Sequence, residues 1–140
     1  MENVWLKADP KELFFFFVSF EKGISLTELL VAINKRLNAL LSKDHIIGHA
    51  WLMNVFSLDD LRLVFKNKIL PLLQEFFYND YAKIGLVLGD AFVKQRKVER
   101  KLFASFTNEN ELAGEYEDKV IYTLANPSDL KPNDFAAIYQ

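Results

Sequence analysis

Two serine caps organise the helical part of this chain. Ser25-Leu26-Thr27-Glu28 and Ser57-Leu58-Asp59-Asp60 each place a hydroxyl three residues before an acid, directly ahead of apolar residues at helical spacing. In the first, the Ser25 oxygen is expected to accept from the Glu28 amide while the Glu28 side chain reaches back to the Ser25 amide. Leu26, Leu29, Leu30, Ile33, Leu37, Leu40 and Leu41 then recur at three- and four-residue steps. They form an inward stripe, with Glu28, Asn34, Lys35, Arg36 and Asn38 read as mostly outward. In the second, Leu61, Phe65, Leu72, Leu73, Phe76 and Phe77 predict a long helix over about 58–78. Pro71 lacks an amide and should kink or restart that helix near Lys68 to Leu70. Asp80 can cap a last short helix that ends at Gly89. Between the two long helices, Asp44 is expected to cap a short helix through Leu52. Gly48 in its middle suggests a close backbone approach.

The flanks read differently. Phe14-Phe15-Phe16-Phe17-Val18-Ser19-Phe20, bounded by Pro10 and Gly23, predicts a buried strand. Beyond Gly89 the helical period disappears, and short runs at Leu102 to Phe106 and Val120 to Leu124 predict a β-hairpin or small sheet. The polar stretch from Thr107 to Asp118 would be its connecting loop. Pro132 can start a final turn carrying Phe135, Ile138 and Tyr139. With 140 residues, 51% of them hydrophobic, one core suffices. The fold class expected is α+β, mainly α: a small helical bundle followed by a small β-hairpin or sheet appendage. The divisions are 1–22 as a strand-containing segment, 23–90 as the helical domain and 91–140 as a β-containing extension packed on it.

Several chemistries are missing. The sequence has no cysteine, which removes thiolate nucleophiles and Cys-type zinc sites and suits a cytoplasmic protein. None of the five glycines falls in a GxxxxGK or GxGxxG arrangement, and HExxH and nucleophile-elbow patterns are missing too. No catalytic residue is assigned and no enzymatic activity is expected of the chain itself. The longest apolar run is too short for a membrane-spanning helix, and the first residues carry no basic stretch of a secretory signal. The net charge of -2 gives no global attraction to nucleic acid.

Three local features remain. His45 and His49 are four residues apart and would share a face of a helix; metal ligation by the pair lacks a third ligand. Alternatively, Gly48 and His49 at a helix start let amides and an imidazole approach an anionic or heterocyclic ligand. Lys94, Arg96, Lys97, Arg100 and Lys101, offset only by Glu99, form either a weak DNA contact or a solvated β edge guarded by charge. Trp5 and Trp51 read as core or half-core aromatics.

Taken as strings, Gly23-Ile24-Ser25-Leu26-Thr27-Glu28-Leu29-Leu30, Ile33-Asn34-Lys35-Arg36-Leu37 and Asp44-His45-Ile46-Ile47-Gly48-His49-Ala50-Trp51-Leu52-Met53 resemble the McrB family of AAA+ GTPases. The resemblance extends through Val64 to Tyr78 and Leu86-Val87-Leu88-Gly89-Asp90, and covers residues 23–90. It implies the small helical lid that follows the nucleotide-binding core in these 5-methylcytosine-dependent restriction motors. The core, with its Walker motifs, sensor and arginine fingers, would lie outside this sequence. It implies further that His45, Ile47, Gly48 and His49 lie at the nucleotide-facing edge of the lid, although Ala50 and Trp51 depart from the family's Ser and aromatic residue. No metal or cofactor is expected for the chain alone; the parent would use GTP or ATP with Mg. The implied partners are an AAA+ core domain or neighbouring motor subunits, and a nuclease subunit through the assembled parent. DNA would be met only indirectly, and a membrane not at all. A stand-alone adaptor or regulator that binds an AAA+ subunit is the alternative.

Overall fold

The computed structural model describes residues 23–107 and 109–140, with the side chains of 109 and 110 left aside. The expected strand over residues 14–20, and Trp5, lie outside the described residues. Helix α1 spans Leu26–Leu40, with the Ser25 hydroxyl accepting from the Glu28 amide at 3.2 Å. The return bond is made differently from the expectation. The Ser25 amide donates to the Tyr139 hydroxyl at 2.9 Å, so the C-terminal end of the chain completes this cap in place of Glu28. Arg36 donates to the Val87 carbonyl at 2.6 Å, tying α1 to the last turn of a later helix.

No α-helix forms over 44–52. Residues 42–48 run as a turn and extended chain, followed by one 3-10 turn at His49–Leu52. The second long helix is continuous but not uniform: α2 (Leu58–Val64) passes into a π segment (Phe65–Ile69) and then α3 (Leu70–Phe76). The widened turn, with the Leu70 amide reaching the Phe65 carbonyl, sits immediately ahead of Pro71, which has no amide to return to the preceding turn. The disturbance expected near Lys68 to Leu70 is therefore absorbed as a π turn. Tyr78 and Asn79 take positive φ (51° and 62°) and end the helix. Asp80 caps α4 (Tyr81–Leu88), and Gly89 at φ 91° closes it.

The sheet is two antiparallel strands, β1 (Val93–Lys97) and β2 (Val120–Leu124), in register from Val93 opposite Leu124 to Lys97 opposite Val120. Two expectations fail here. Leu102 to Phe106 is not a strand; the basic run takes that role, because an exposed two-stranded ribbon does not require alternating apolar residues. Thr107 to Asp118 is not all loop: α5 spans Glu109–Tyr116. A 3-10 turn at Pro127–Asp129 and α6 (Pro132–Ala136) end the fold. One core joins these pieces, since Phe65 meets Phe92 at 5.2 Å and Phe135 at 5.1 Å between ring centroids. Arg62 fastens the C-terminal segment by donating twice to the Leu130 carbonyl, at 2.9 and 2.6 Å. Among the described residues no helix is long and apolar enough to cross a membrane.

Candidate functional site

The loop from Leu41 to Met53 is built around one buried polar residue of α1. Asn34 lies inside the apolar stripe, four residues after Leu30 and three before Leu37, and is 4% exposed. Its Oδ1 accepts from the Ile47 amide at 2.8 Å and its Nδ2 donates to the Ile47 carbonyl at 2.9 Å. A side-chain amide thus substitutes for a neighbouring strand and fixes the loop on the helix. Asn34 was read as outward from its polarity; its place on the stripe carried the opposite signal. Ile47 itself is buried and both of its backbone groups are engaged by Asn34. It anchors the site and offers no backbone group of its own to a ligand.

His45 is set by the turn before it. Its amide donates to the Ser42 carbonyl at 3.2 Å, and its Nδ1 shares a 2.8 Å hydrogen bond with the Ser42 hydroxyl. The ring stands edge-on to Phe76, 5.1 Å between centroids. Gly48 is exposed and extended (φ −72°, ψ 149°). A Cβ built there meets nothing within 4 Å, so among the described residues nothing makes the close backbone approach inferred from this glycine. His49 opens the 3-10 turn and is half-buried, while Leu52 behind it is buried and Trp51 packs partly against the core. Because the segment is extended between them, the two histidines do not share a helix face. No group of three or more His, Cys, Asp or Glu side chains with metal-binding geometry occurs among the described residues. The arrangement places the His45 ring, held by Ser42 and Phe76, and the half-buried His49, whose Nδ1 is buried, on either side of an exposed backbone at Gly48, with Ile47 clamped on α1 by Asn34. Such a surface can stack on or hydrogen-bond to a planar heterocycle or a sugar hydroxyl, and the loop carries one exposed cation, Lys43.

The basic cluster is dispersed. Lys94, Arg96 and Lys97 lie on β1, where alternation puts Lys94 and Arg96 on one face and Lys97 on the other. Arg100 and Lys101 lie on the 3-10 turn that follows. Arg100 pairs with Glu117 at 3.2 Å and Lys101 with Glu99 at 3.0 Å, so part of the charge is offset locally.

Residues 25–85 match the family described as McrB, alpha-helical lid domain; the matched span begins at the cap of α1, contains the whole His45–His49 loop and ends inside α4. No curated protein sequence matches the chain.

Proposed function

With residues 25–85 identified as a lid of the McrB family, we propose that the chain acts as the lid and assembly module of a McrB-like nucleotide-dependent motor in restriction of modified DNA. The observation that carries this reading is the match itself, centred on a loop whose exposed side is held in place by Asn34. In this reading His45, His49 and the backbone at Gly48 meet the base or ribose of GTP or ATP, and Ile47 fixes their height above α1. The phosphates and Mg belong to the AAA+ core, because the loop has a single exposed lysine, Lys43, and no glycine-rich phosphate-binding motif. The lid alone therefore neither hydrolyses nucleotide nor binds it tightly. Contact with a nuclease subunit or with DNA would follow from assembly of the motor, not from this chain's own surface. The second reading, a stand-alone adaptor or regulator of an AAA+ subunit, makes the same contacts in trans.

The test is reconstitution with a McrB-type AAA+ core that lacks its own lid, followed by titration with a fluorescent guanine or adenine nucleotide. The full chain should tighten binding, and His49→Ala should weaken that effect by about 1–2 kcal/mol, or about 5- to 30-fold, the size of one lost hydrogen bond to a partly buried group. Equal affinity with and without the chain would overturn the reading. Recovery of an intact AAA+ subunit as a stable partner from the source cell would favour the adaptor form.

A further inference from the structure

The two strands of the ribbon have unequal outer edges. The Ala125 amide donates to the Phe92 carbonyl at 2.8 Å, and the Val98 amide to the Lys119 carbonyl at 2.8 Å. These are alternate positions of one ladder, so Lys94 and Arg96 bond inward to Thr123 and Ile121. The backbone groups of Val93, Gln95 and Lys97 on β1, and of Val120, Tyr122 and Leu124 on β2, therefore point away from the pair. On the β1 side the edge is guarded: Lys94, Arg96 and Lys97 put three cations along it, and the Val93 amide is taken by the Gly89 carbonyl at 3.3 Å. β2 reads Val-Ile-Tyr-Thr-Leu, without a charge or a proline, and among the described residues nothing bonds to its outward backbone groups. An uncharged edge of β-branched and aromatic residues is a template for another strand.

We infer that β2 is a self-association edge, which pairs antiparallel with β2 of a second copy of this chain to make a four-stranded sheet β1-β2-β2-β1. The occupant follows from symmetry and charge. Centring a two-fold axis on Tyr122 sets Tyr122 opposite its own copy and Val120 opposite Leu124, so every outward position finds a complement, with up to about six new backbone hydrogen bonds. The same operation on β1 would set Lys94 opposite Arg96 of the copy and is repelled. Apolar surface supports the axis. Tyr122 and Leu86, 37% and 65% exposed, border one depression between α4 and the ribbon, and the two-fold would bring both from each copy to the same side of the joined sheet. Because the strand is short, the dimer is a weak one, suited to association that a larger assembly reinforces. This surface lies outside residues 25–85 and is independent of any nucleotide contact made by the lid loop.

The cysteine-free sequence allows a direct test. Tyr122→Cys and Gln95→Cys place one thiol at the centre of each edge in the full-length chain. Under mild oxidation Tyr122→Cys should form a covalent dimer at least about tenfold faster than Gln95→Cys at equal concentration, since opposed Cα atoms in such a pair fall at disulfide distance. Sedimentation of the unmodified chain from about 1 μM to about 500 μM should show a reversible dimer, and Tyr122→Lys, which sets like charges face to face, should raise its Kd more than about tenfold. Circular dichroism of each variant distinguishes this loss from misfolding, and Thr123→Pro, which removes an inward-bonding amide, serves as the misfolded reference. A chain that stays monomeric throughout, equal cross-linking of the two cysteine variants, or a dimer insensitive to Tyr122→Lys in a folded variant would each overturn the inference.

Discussion

In the helices between Leu26 and Leu88, the side chains of Leu29, Leu30, Ile33, Leu37, Leu61, Phe65 and Leu73 have no exposed surface. In the segment from Val93 to Leu124, by contrast, Leu102, Phe103, Phe106, Leu112 and Tyr116 are 41–65% exposed. The helical part closes one core and leaves Leu63, Tyr78 and Leu86 at scattered surface positions, whereas the ribbon segment hangs on that core through Phe92, Val93 and Leu124 and leaves most of its large apolar side chains at the surface. Val98 and Ala113 are buried but pack apart from the main core, with Arg100 lying across α5 near Gly114. The contrast separates two jobs. Stability resides in the helices and in the Phe65, Phe92 and Phe135 contact; the ribbon segment carries surface that is available to other molecules.

The largest expected effect tests that separation directly. Phe65→Ala removes a fully buried ring from the contact with Phe92 and Phe135 and should cost about 3–5 kcal/mol in urea unfolding. Phe103→Ala, whose ring is 41% exposed and 6.3 Å from Tyr116, should cost under about 1 kcal/mol in the same measurement. Similar losses from the two would mean that the ribbon segment is part of the stabilising core and that the division is wrong.

Next in size is Asn34→Ala. It leaves the amide and carbonyl of Ile47 buried without their partner and should cost about 2–4 kcal/mol. The amide of Ile47 should also lose protection from hydrogen exchange well before amides in the middle of α1. Loss of protection everywhere at once would show that Asn34 supports the core as a whole and not the loop in particular.

How far these features were legible depends on which interactions set them. The caps at Ser25, Ser57 and Asp80, the α1 stripe from Leu26 to Leu37 and the stop at Gly89 rest on residues close in sequence, and the structure has them at the expected places, whereas Leu40, expected inward, is exposed at the end of the helix. The bond from the Ser25 amide to Tyr139 joins residues 114 apart, and no local pattern announces it. The absence of an α-helix over 44–52 has the same origin: the extended chain before the 3-10 turn is held by Asn34, thirteen residues before Ile47. Apolar content points to Leu102 to Phe106, whereas β1 is the basic run Val93–Lys97. In a two-stranded ribbon the ladder alone defines β1, and its residues beyond Val93 are exposed. The resemblance offers His45, Ile47, Gly48 and His49 as candidates, but no local pattern announces the clamp that Asn34 sets on Ile47.

Smaller effects come from two glycines, one closing α4 and one in the loop between α1 and α2. Gly89 has φ 91°, a conformation unfavourable to any residue with a Cβ, so Gly89→Ala should lower stability by about 1–2 kcal/mol although the space around it is open. The melting temperature should fall with no change in helix content, because α4 keeps its Asp80 cap. An unchanged melting temperature would mean that the junction between α4 and the ribbon relaxes, and that the two regions are less rigidly joined than the core contact implies.

Gly48→Ala carries the smallest expected change and the sharpest reading of the loop. The backbone there is extended at φ −72° and ψ 149°, a region open to every residue, and the added Cβ meets nothing within 4 Å. Alanine also narrows the unfolded ensemble, so the substitution should leave stability unchanged or raise it by about 0.4–1 kcal/mol in urea unfolding. A destabilisation would show that the loop uses a conformation other than the extended one. The same variant reports on the site once a core domain is present. If the nucleotide approaches the backbone at Gly48, the new methyl group occupies that approach and weakens binding in a chain that is no less stable. If affinity is unchanged while His49→Ala lowers it, the contact runs through the imidazole alone and the glycine serves only the course of the chain.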